Sequence, residues 1–385
     1  MRDRNLTGRE VSGDVHAHQE SGGGRARRAG GGRPARSAGI DYFRMAAAFM
    51  VIAIHIAPFA DWSKEADFLM TYCLGRTAVP FFFMTTGYFV LAPYVKSGLQ
   101  KKRTFYRFVL KNTAVYLAVT VLYLPLTIYS GNMPKGIGGL LQDLFFDGTF
   151  YHLWYFPAVL TGCMLLVLLT WTGQKVEAAN WSKGHVNSGY RKKMAAVVLT
   201  GYVIGLLGDS YYGLTEQVPW MKAAYDGMFH ISSYTRNGIF FAPVFLLLGV
   251  LTAFAKRLCP MRICVWGTAL STVLLMGEGF LTYSLKWQRH NSMYLFLVPL
   301  MYFLFQLLLL IPGKAPAFCR NGSLILYVIH PAVIVVLRGT AKAAGLKELL
   351  IDHAFIQYIL VCAVSMAAAA VFAGVKKNCL MKISR

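Results

Sequence analysis

Arg44 and His55 lie eleven residues apart in an otherwise apolar stretch that runs from Asp41-Tyr42-Phe43-Arg44 to Ile52-Ala53-Ile54-His55. At 3.6 residues per turn this is close to three full turns, which puts both side chains on one helix face about 16 Å apart along the axis. Histidine, with an ordinary pKa near 6.5, suits proton transfer, and a guanidinium holds phosphate through paired hydrogen bonds. Ionisable groups at membrane depth are costly and tend to mark a site or a pathway. Two readings stay open for the pair alone. Either Arg44 snorkels to lipid phosphate and His55 satisfies a neighbouring carbonyl, or both face a working interior.

Other polar residues recur in the same setting. Arg76 opens Arg76-Thr77-Ala78-Val79-Pro80, where it either anchors the outer surface or points inward beside backbone groups freed by Pro80. His152 precedes Leu153-Trp154-Tyr155-Phe156-Pro157, a run that also reads as interfacial anchoring. Asp209-Ser210 and Tyr234-Thr235-Arg236-Asn237-Gly238 bracket a long outer loop that could fold back into the bundle. Glu278, between Gly277 and Gly279, is a lone carboxylate in an apolar segment, and an arginine or histidine of another helix is its natural partner. Ser323, Tyr327 and His330 follow at steps of four and three, so they share one helix face. Together these residues argue for a polar chamber enclosed by helices. The residues alone stop short of a reaction.

The elements that must position them are membrane helices. Hydrophobic residues make up 56% of the 385-residue chain and charged residues only 15%, where soluble domains average roughly a quarter charged. Ten segments (40–60, 78–95, 112–130, 153–171, 194–208, 239–255, 262–283, 293–311, 322–338 and 354–374) are apolar over about the length that crosses a bilayer. Backbone groups in hydrocarbon must be satisfied internally. Val79-Pro80-Phe81-Phe82-Phe83-Met84 does not alternate as a β-barrel strand would. The expected fold is therefore all-α, a polytopic transmembrane bundle of about ten helices.

Alternate connectors are basic: Lys96 to Lys111, Lys175 to Lys193, Lys256 to Arg262, and Lys314 with Arg320, while Lys376, Lys377, Lys382 and Arg385 close the chain. The positive-inside rule places these connectors and both termini in the cytoplasm of a multi-pass protein of the plasma (inner) membrane. The formal charge of +22 then reflects topology and anionic lipid, not nucleic acid. Residues 1–38, rich in Gly and Arg, read as a disordered cytoplasmic tail or as a start codon placed too early. They lack the apolar core of a signal peptide. The folded domain is expected over 39–375, with a basic C-terminus at 376–385. The seven cysteines are scattered and read as small hydrophobic residues; no metal site, Walker motif or dinucleotide fingerprint is present in the sequence.

At these positions the sequence resembles the membrane-embedded acyltransferase-3 family. Its arginine, ten residues, then histidine is matched by Arg44 and His55. Its arginine before the second helix is matched by Arg76 in Arg-x-x-Val-Pro-Phe-Phe-Phe-Met, and a late Ser-x-x-x-Tyr-x-x-His by Ser323, Tyr327 and His330. The resemblance covers roughly 39–375. It is particularly similar to the membrane domain of vancomycin-resistance-type serine racemases, through Gly39-Ile40-Asp41, Tyr151–Pro157, Gly208–Ser210, Thr235–Phe241 and Ser292–Leu297. The sequence ends at Arg385, so racemase activity is not expected.

The resemblance implies transfer of an acyl group, usually acetyl from acetyl-CoA, to a hydroxyl of a cell-envelope or small-molecule acceptor. Such transfer needs a base for the hydroxyl proton and donors for the developing oxyanion. His55 is the expected base, with Arg44 holding the phosphates of acyl-CoA on the cytoplasmic side. Arg76, Tyr327 and His330 would complete the acceptor or oxyanion side, with His152, Arg236 and Ser323 in the chamber and Glu278 orienting a histidine or an arginine. The rival implied by the racemase subgroup is a serine carrier; an inert sensor is the third reading. Dependence on acyl-CoA tied to His55 would mark the enzyme, and serine counterflow without CoA the carrier.

Overall fold

The computed structural model describes residues 37–176 and 188–383, with no account of the side chains from 375 onward. Residues 1–36 of the expected tail, the connector 177–187 with Lys183, and residues 384–385 lie outside the described residues. Ten principal helices follow one another: α1 Ala38–Ile56, α2 Lys64–Lys96, α3 Lys102–Tyr129, α4 Tyr155–Val176, α5 Ser188–Leu207, α6 Ala242–Phe254, α7 Met261–Ser284, α8 Leu297–Leu310, α9 Ala317–Ala343 and α10 Ala354–Ile383. Each of the ten expected segments falls on one of them.

Seven of these helices are long and apolar enough to span a bilayer among the described residues. The other three are α5, charged in its first turns by Arg191, Lys192 and Lys193, and the short helices α6 and α8. At 1.5 Å per residue α6 and α8 reach only about 20 Å, against roughly 30 Å of hydrocarbon. Their lead-in stretches, 230–241 and 285–296, are largely non-helical. Irregular backbone at such depth survives only where protein or an internal cavity surrounds it. Both stretches carry polar residues of the site.

The bundle is built around α2 and α6, which are mostly buried, while α3 and α10 turn apolar faces outward through residues such as Leu110, Val121 and Phe372. α1 packs on α2, α8, α9 and α10; α7 packs on α8, and α9 on α10. Gly87 of α2 and Gly249 of α6 meet face to face. A Cβ on Gly87 would collide with the Leu246 carbonyl and come within 3.2 Å of the Gly249 Cα. Small residues at a crossing are how membrane helices gain contact without a hydrophobic driving force.

Two corrections to the sequence reading concern helix ends. Ser37 and Ala38, expected in the tail, belong to the bundle. The Ser37 hydroxyl accepts from the Ile40 amide (3.3 Å) and donates to the carbonyls of Leu308 (2.5 Å) and Ile311 (3.1 Å), so one side chain caps α1 and fastens it to the end of α8. The basic C-terminus, expected apart from the domain at 39–375, is helical through Ile383 as a continuation of α10.

Candidate functional site

α1 and α9 run side by side in the same direction, and this brings the two sequence motifs together at two levels. At one level the His55 and His330 rings stack with centroids 5.3 Å apart. At the other, Arg44 lies within electrostatic reach of Arg320. The spacings, eleven residues on α1 and ten on α9, match because both helices rise equally per residue.

The histidine level is a cluster of three. His152, in the turn before α4, sits 5.4 Å from His330 and 5.6 Å from Tyr327 between ring centroids. Tyr151 packs on His55 at 4.7 Å, and the Tyr327 hydroxyl donates to the His152 carbonyl. His152 is 1% exposed; the interfacial-belt reading is thereby overturned, because the turn at 148–154 folds inward against α9. The Nδ1–H of His330 donates to the Leu326 carbonyl (3.1 Å), while Nε2 is buried without a partner. A carbonyl only accepts, so this bond leaves Nε2 as the ring's acceptor. His55 differs from its two neighbours in keeping accessible surface.

Pro331 lies one residue beyond His330, inside α9. The Tyr123 hydroxyl of α3 enters the backbone there, donating to the Val328 carbonyl (2.7 Å) and accepting from the Ala332 amide (3.1 Å). Proline cannot supply an amide and bends its helix, and the hydroxyl satisfies the groups spread by that bend. Tyr123→Phe should lower stability by about 1–2 kcal/mol, the cost of leaving a buried backbone pair short of partners. Thermal unfolding in detergent reads this directly.

Arg44 is partly buried, 3.9 Å from Asp41, with its Nε unpartnered. It is therefore turned to the protein and does not simply reach for lipid. Ser323, Tyr327 and His330 are all buried on one face of α9, as their spacing implies, and the Ser323 hydroxyl donates to the Arg320 carbonyl (3.3 Å).

A second polar group lies beyond the histidines. Arg76 sits in an irregular part of α2, where a wide turn over Phe68–Cys73 and a tight one over Leu74–Thr77 precede the regular helix that holds Pro80. Its Nε donates to the Asn291 carbonyl (2.7 Å) and its Nη2 to the Asn291 side-chain oxygen (2.5 Å). Arg236 donates from Nη1 to the Ser292 hydroxyl (3.1 Å) and stacks over Tyr234 (4.3 Å). The surface-anchor reading of Arg76 is thus replaced by the inward one. Both cations lie close enough for their field to reach His55. Asp209, fully buried, accepts from the Ser292 and Met293 amides (2.7 and 2.9 Å) and so folds the 285–296 stretch inward. Burial pushes its carboxyl above the ordinary range, against the pull of those amides. His290 is driven down to about 4, by burial first and then by Arg236, and is neutral at physiological pH.

Glu278 departs from expectation. Among the described residues no arginine or histidine is its hydrogen-bond partner. Its carboxylate takes the Tyr211 hydroxyl and the amides of Leu295 and Phe296. Gly277 and Gly279 do not break α7, which is continuous; a side chain at Gly279 would instead collide with the Cys73 sulfur. Tyr123, Asn291 and Tyr151 escaped the sequence reading. Asn291 falls in the polar run Gln288-Arg289-His290-Asn291-Ser292, which reads as an exposed loop until its carboxylate anchors are known.

The sequence matches the acyltransferase domain family over residues 37–374. It is 34% identical to an amino-acid racemase of Enterococcus faecalis over 337 residues, 86% of this chain and 44% of that protein. It is 38% identical to a serine/alanine racemase of Enterococcus gallinarum over 303 residues, 78% of this chain and 41% of that protein. The chain spans less than half the length of these curated relatives. No solved structure matches it.

Proposed function

Because the chain belongs to the acyltransferase-3 family, we propose that it moves an acetyl group from cytoplasmic acetyl-CoA to a hydroxyl of a small-molecule or cell-envelope acceptor. The observation that carries this reading is His55. It is a part-buried histidine inside a membrane bundle, stacked on His330 at 5.3 Å and on the same helix as Arg44. The basic connectors support an orientation with Arg44 on the cytoplasmic side.

In this reading the CoA phosphates sit at Arg44 and the thioester reaches along α1 to His55. The acceptor oxygen forms a bond to the carbonyl carbon as His55 takes its proton, and the oxyanion is held by nearby donors. The carbon–sulfur bond then breaks, and the proton passes from His55 to the departing CoA thiolate. His330, its tautomer fixed by Leu326, supports the His55 ring by stacking.

Binding of acetyl-CoA to detergent-purified protein tests the donor half without knowledge of the acceptor. Arg44→Ala should weaken binding about tenfold to a hundredfold, matching about 1.5–3 kcal/mol for hydrogen bonds to a charged group. His55→Ala should bind as the native protein does. Absence of saturable binding to folded native protein would sink the proposal.

A second reading, an amino-acid carrier, draws on α6 and α8, two short helices each entered by an irregular stretch, as in transporters with interrupted helices. The relatives' names, amino-acid racemase and serine/alanine racemase, point the same way. Serine flux into liposomes in the absence of CoA would favour it.

A further inference from the structure

Arg76 and Arg236 are enclosed by protein, and among the described residues neither has a carboxylate within 4.0 Å. Taking a guanidinium out of water is costly unless an opposite charge compensates it. Here the direct hydrogen bonds go to neutral oxygens of two adjacent residues, and the carboxylates of Asp209 and Asp147 act only from beyond contact. Arg76 binds Asn291 through two nitrogens and Arg236 binds Ser292 through one, so a single turn of chain holds both cations. The Arg236 Nε remains buried without any partner. Aromatic faces fix the planes: Tyr72 lies under Arg76 at 5.3 Å, and Tyr234 and Trp154 lie against Arg236 at 4.3 and 5.3 Å. Two guanidiniums are therefore oriented, and among the described residues their charge meets no carboxylate directly.

The nearby carboxylate does not use that charge. The Asp209 Oδ1 is occupied by the Ser292 and Met293 amides and the Ser210 hydroxyl (3.0 Å), and it meets neither arginine. Asp147, the other carboxylate whose field reaches Arg236, is likewise spent on the Ser232 hydroxyl and the Ser233 amide. The Arg236 Nε therefore keeps a donor that an anionic ligand can take.

A surface cleft opens beside the residues that hold Arg76. It encloses about 520 Å³ and is lined by Lys64 and Lys286 together with Tyr72 and Asn291, the two residues that hold Arg76. A volume of several hundred Å³ suits a small molecule. The cleft contains one carboxylate, Asp67, which is already committed: its Oδ1 accepts the Phe59 amide and the Thr71 hydroxyl, each at 3.0 Å. The lysines therefore give the cleft a cationic character, and it lies beyond the C-terminal end of α1, away from Arg44.

We infer that the Arg76–Arg236 pair is a carboxylate subsite and that the acceptor is a small hydroxylated acid entering through this cleft. Its carboxylate binds the two guanidiniums and its hydroxyl points toward His55. Lys64 and Lys286 draw the anion in, and the arginines hold it, since guanidinium and carboxylate match in shape. The placement of the hydroxyl rests on the acyl-transfer reading; the carboxylate subsite does not.

The test measures binding without any acyl donor. Glycolate, lactate and glucuronate are titrated into detergent-purified protein, each against its neutral amide, with the thermal unfolding midpoint as readout. At least one acid should bind ten times more tightly than its amide. Arg236→Gln should erase that preference. Lys286→Gln, an exposed substitution at the cleft mouth, should weaken the acid a few-fold at low salt and leave the amide unchanged, which keeps the test decisive if Arg236→Gln does not fold. Parity between every acid and its amide, or no stabilisation by any acid, would overturn the subsite; so would a preference that survives Arg236→Gln. If acetyl-CoA fails to bind while the acid preference holds, the acyl-transfer reading falls and the subsite stands.

Discussion

His55→Ala is expected to lower acetyl transfer by about 10²–10⁴-fold, the range that general base catalysis contributes, while leaving acetyl-CoA affinity unchanged. The two effects separate because the proposed reading puts the donor phosphates and the reacting hydroxyl at opposite ends of α1. Loss confined to turnover marks a group that acts in the transition state. His330→Ala should do less: its Nδ1 is spent on Leu326 and its ring is buried, so it acts through the stacked His55 ring. His55→Gln separates base chemistry from packing, because it keeps bulk and hydrogen bonding but cannot accept the proton at neutral pH. The measurement is release of free CoA thiol with a competent acceptor present. If His55→Gln retains native turnover, His55 is not the base, and His330, with its unpartnered Nε2, becomes the group to examine.

How much of this site is legible in the sequence follows from how helices repeat. Arg44 with His55, and Ser323 with Tyr327 and His330, are read correctly as shared faces because 3.6 residues per turn is a local rule. That α1 and α9 then align the two faces is tertiary, and only the structure shows it. His152 sat between two readings because a histidine beside Trp154 looks the same at an interface as in a core. The difference lies in a turn whose folding depends on α9. The Gly-Glu-Gly at 277–279 is ambiguous in sequence for another reason. Glycine reports either backbone freedom or a close neighbour, and here Gly279 makes room for Cys73. Irregularity instead falls on α2, around Arg76, in a run of ordinary composition.

Glu278→Ala is expected to destabilise the protein by about 3 kcal/mol or more, since each buried donor left unmet costs about 1–3 kcal/mol. The carboxylate is 6% exposed. One oxygen accepts the Tyr211 hydroxyl (2.8 Å) and the Leu295 amide (2.6 Å), and the other the Phe296 amide (2.9 Å). Leu295 and Phe296 are the last residues before α8, so the carboxylate fixes where that short helix begins and, with Asp209, how the stretch bearing Asn291 and Ser292 enters the bundle. Alanine leaves three donors unmet in a low-dielectric interior. Glu278→Gln retains one oxygen but turns an N–H₂ toward another donor, so it should recover only part of the loss. Thermal unfolding in detergent gives the stability, and acetyl-CoA binding below the transition reports whether the donor end survives. A structural carboxylate lowers the unfolding midpoint and spares donor binding, since Arg44 lies at the far end of the bundle. A proton-relay carboxylate would do the reverse, leaving the midpoint near native while turnover collapsed in Glu278→Gln. The bonding favours the first outcome, because two of the three donors are backbone amides, which pass no proton.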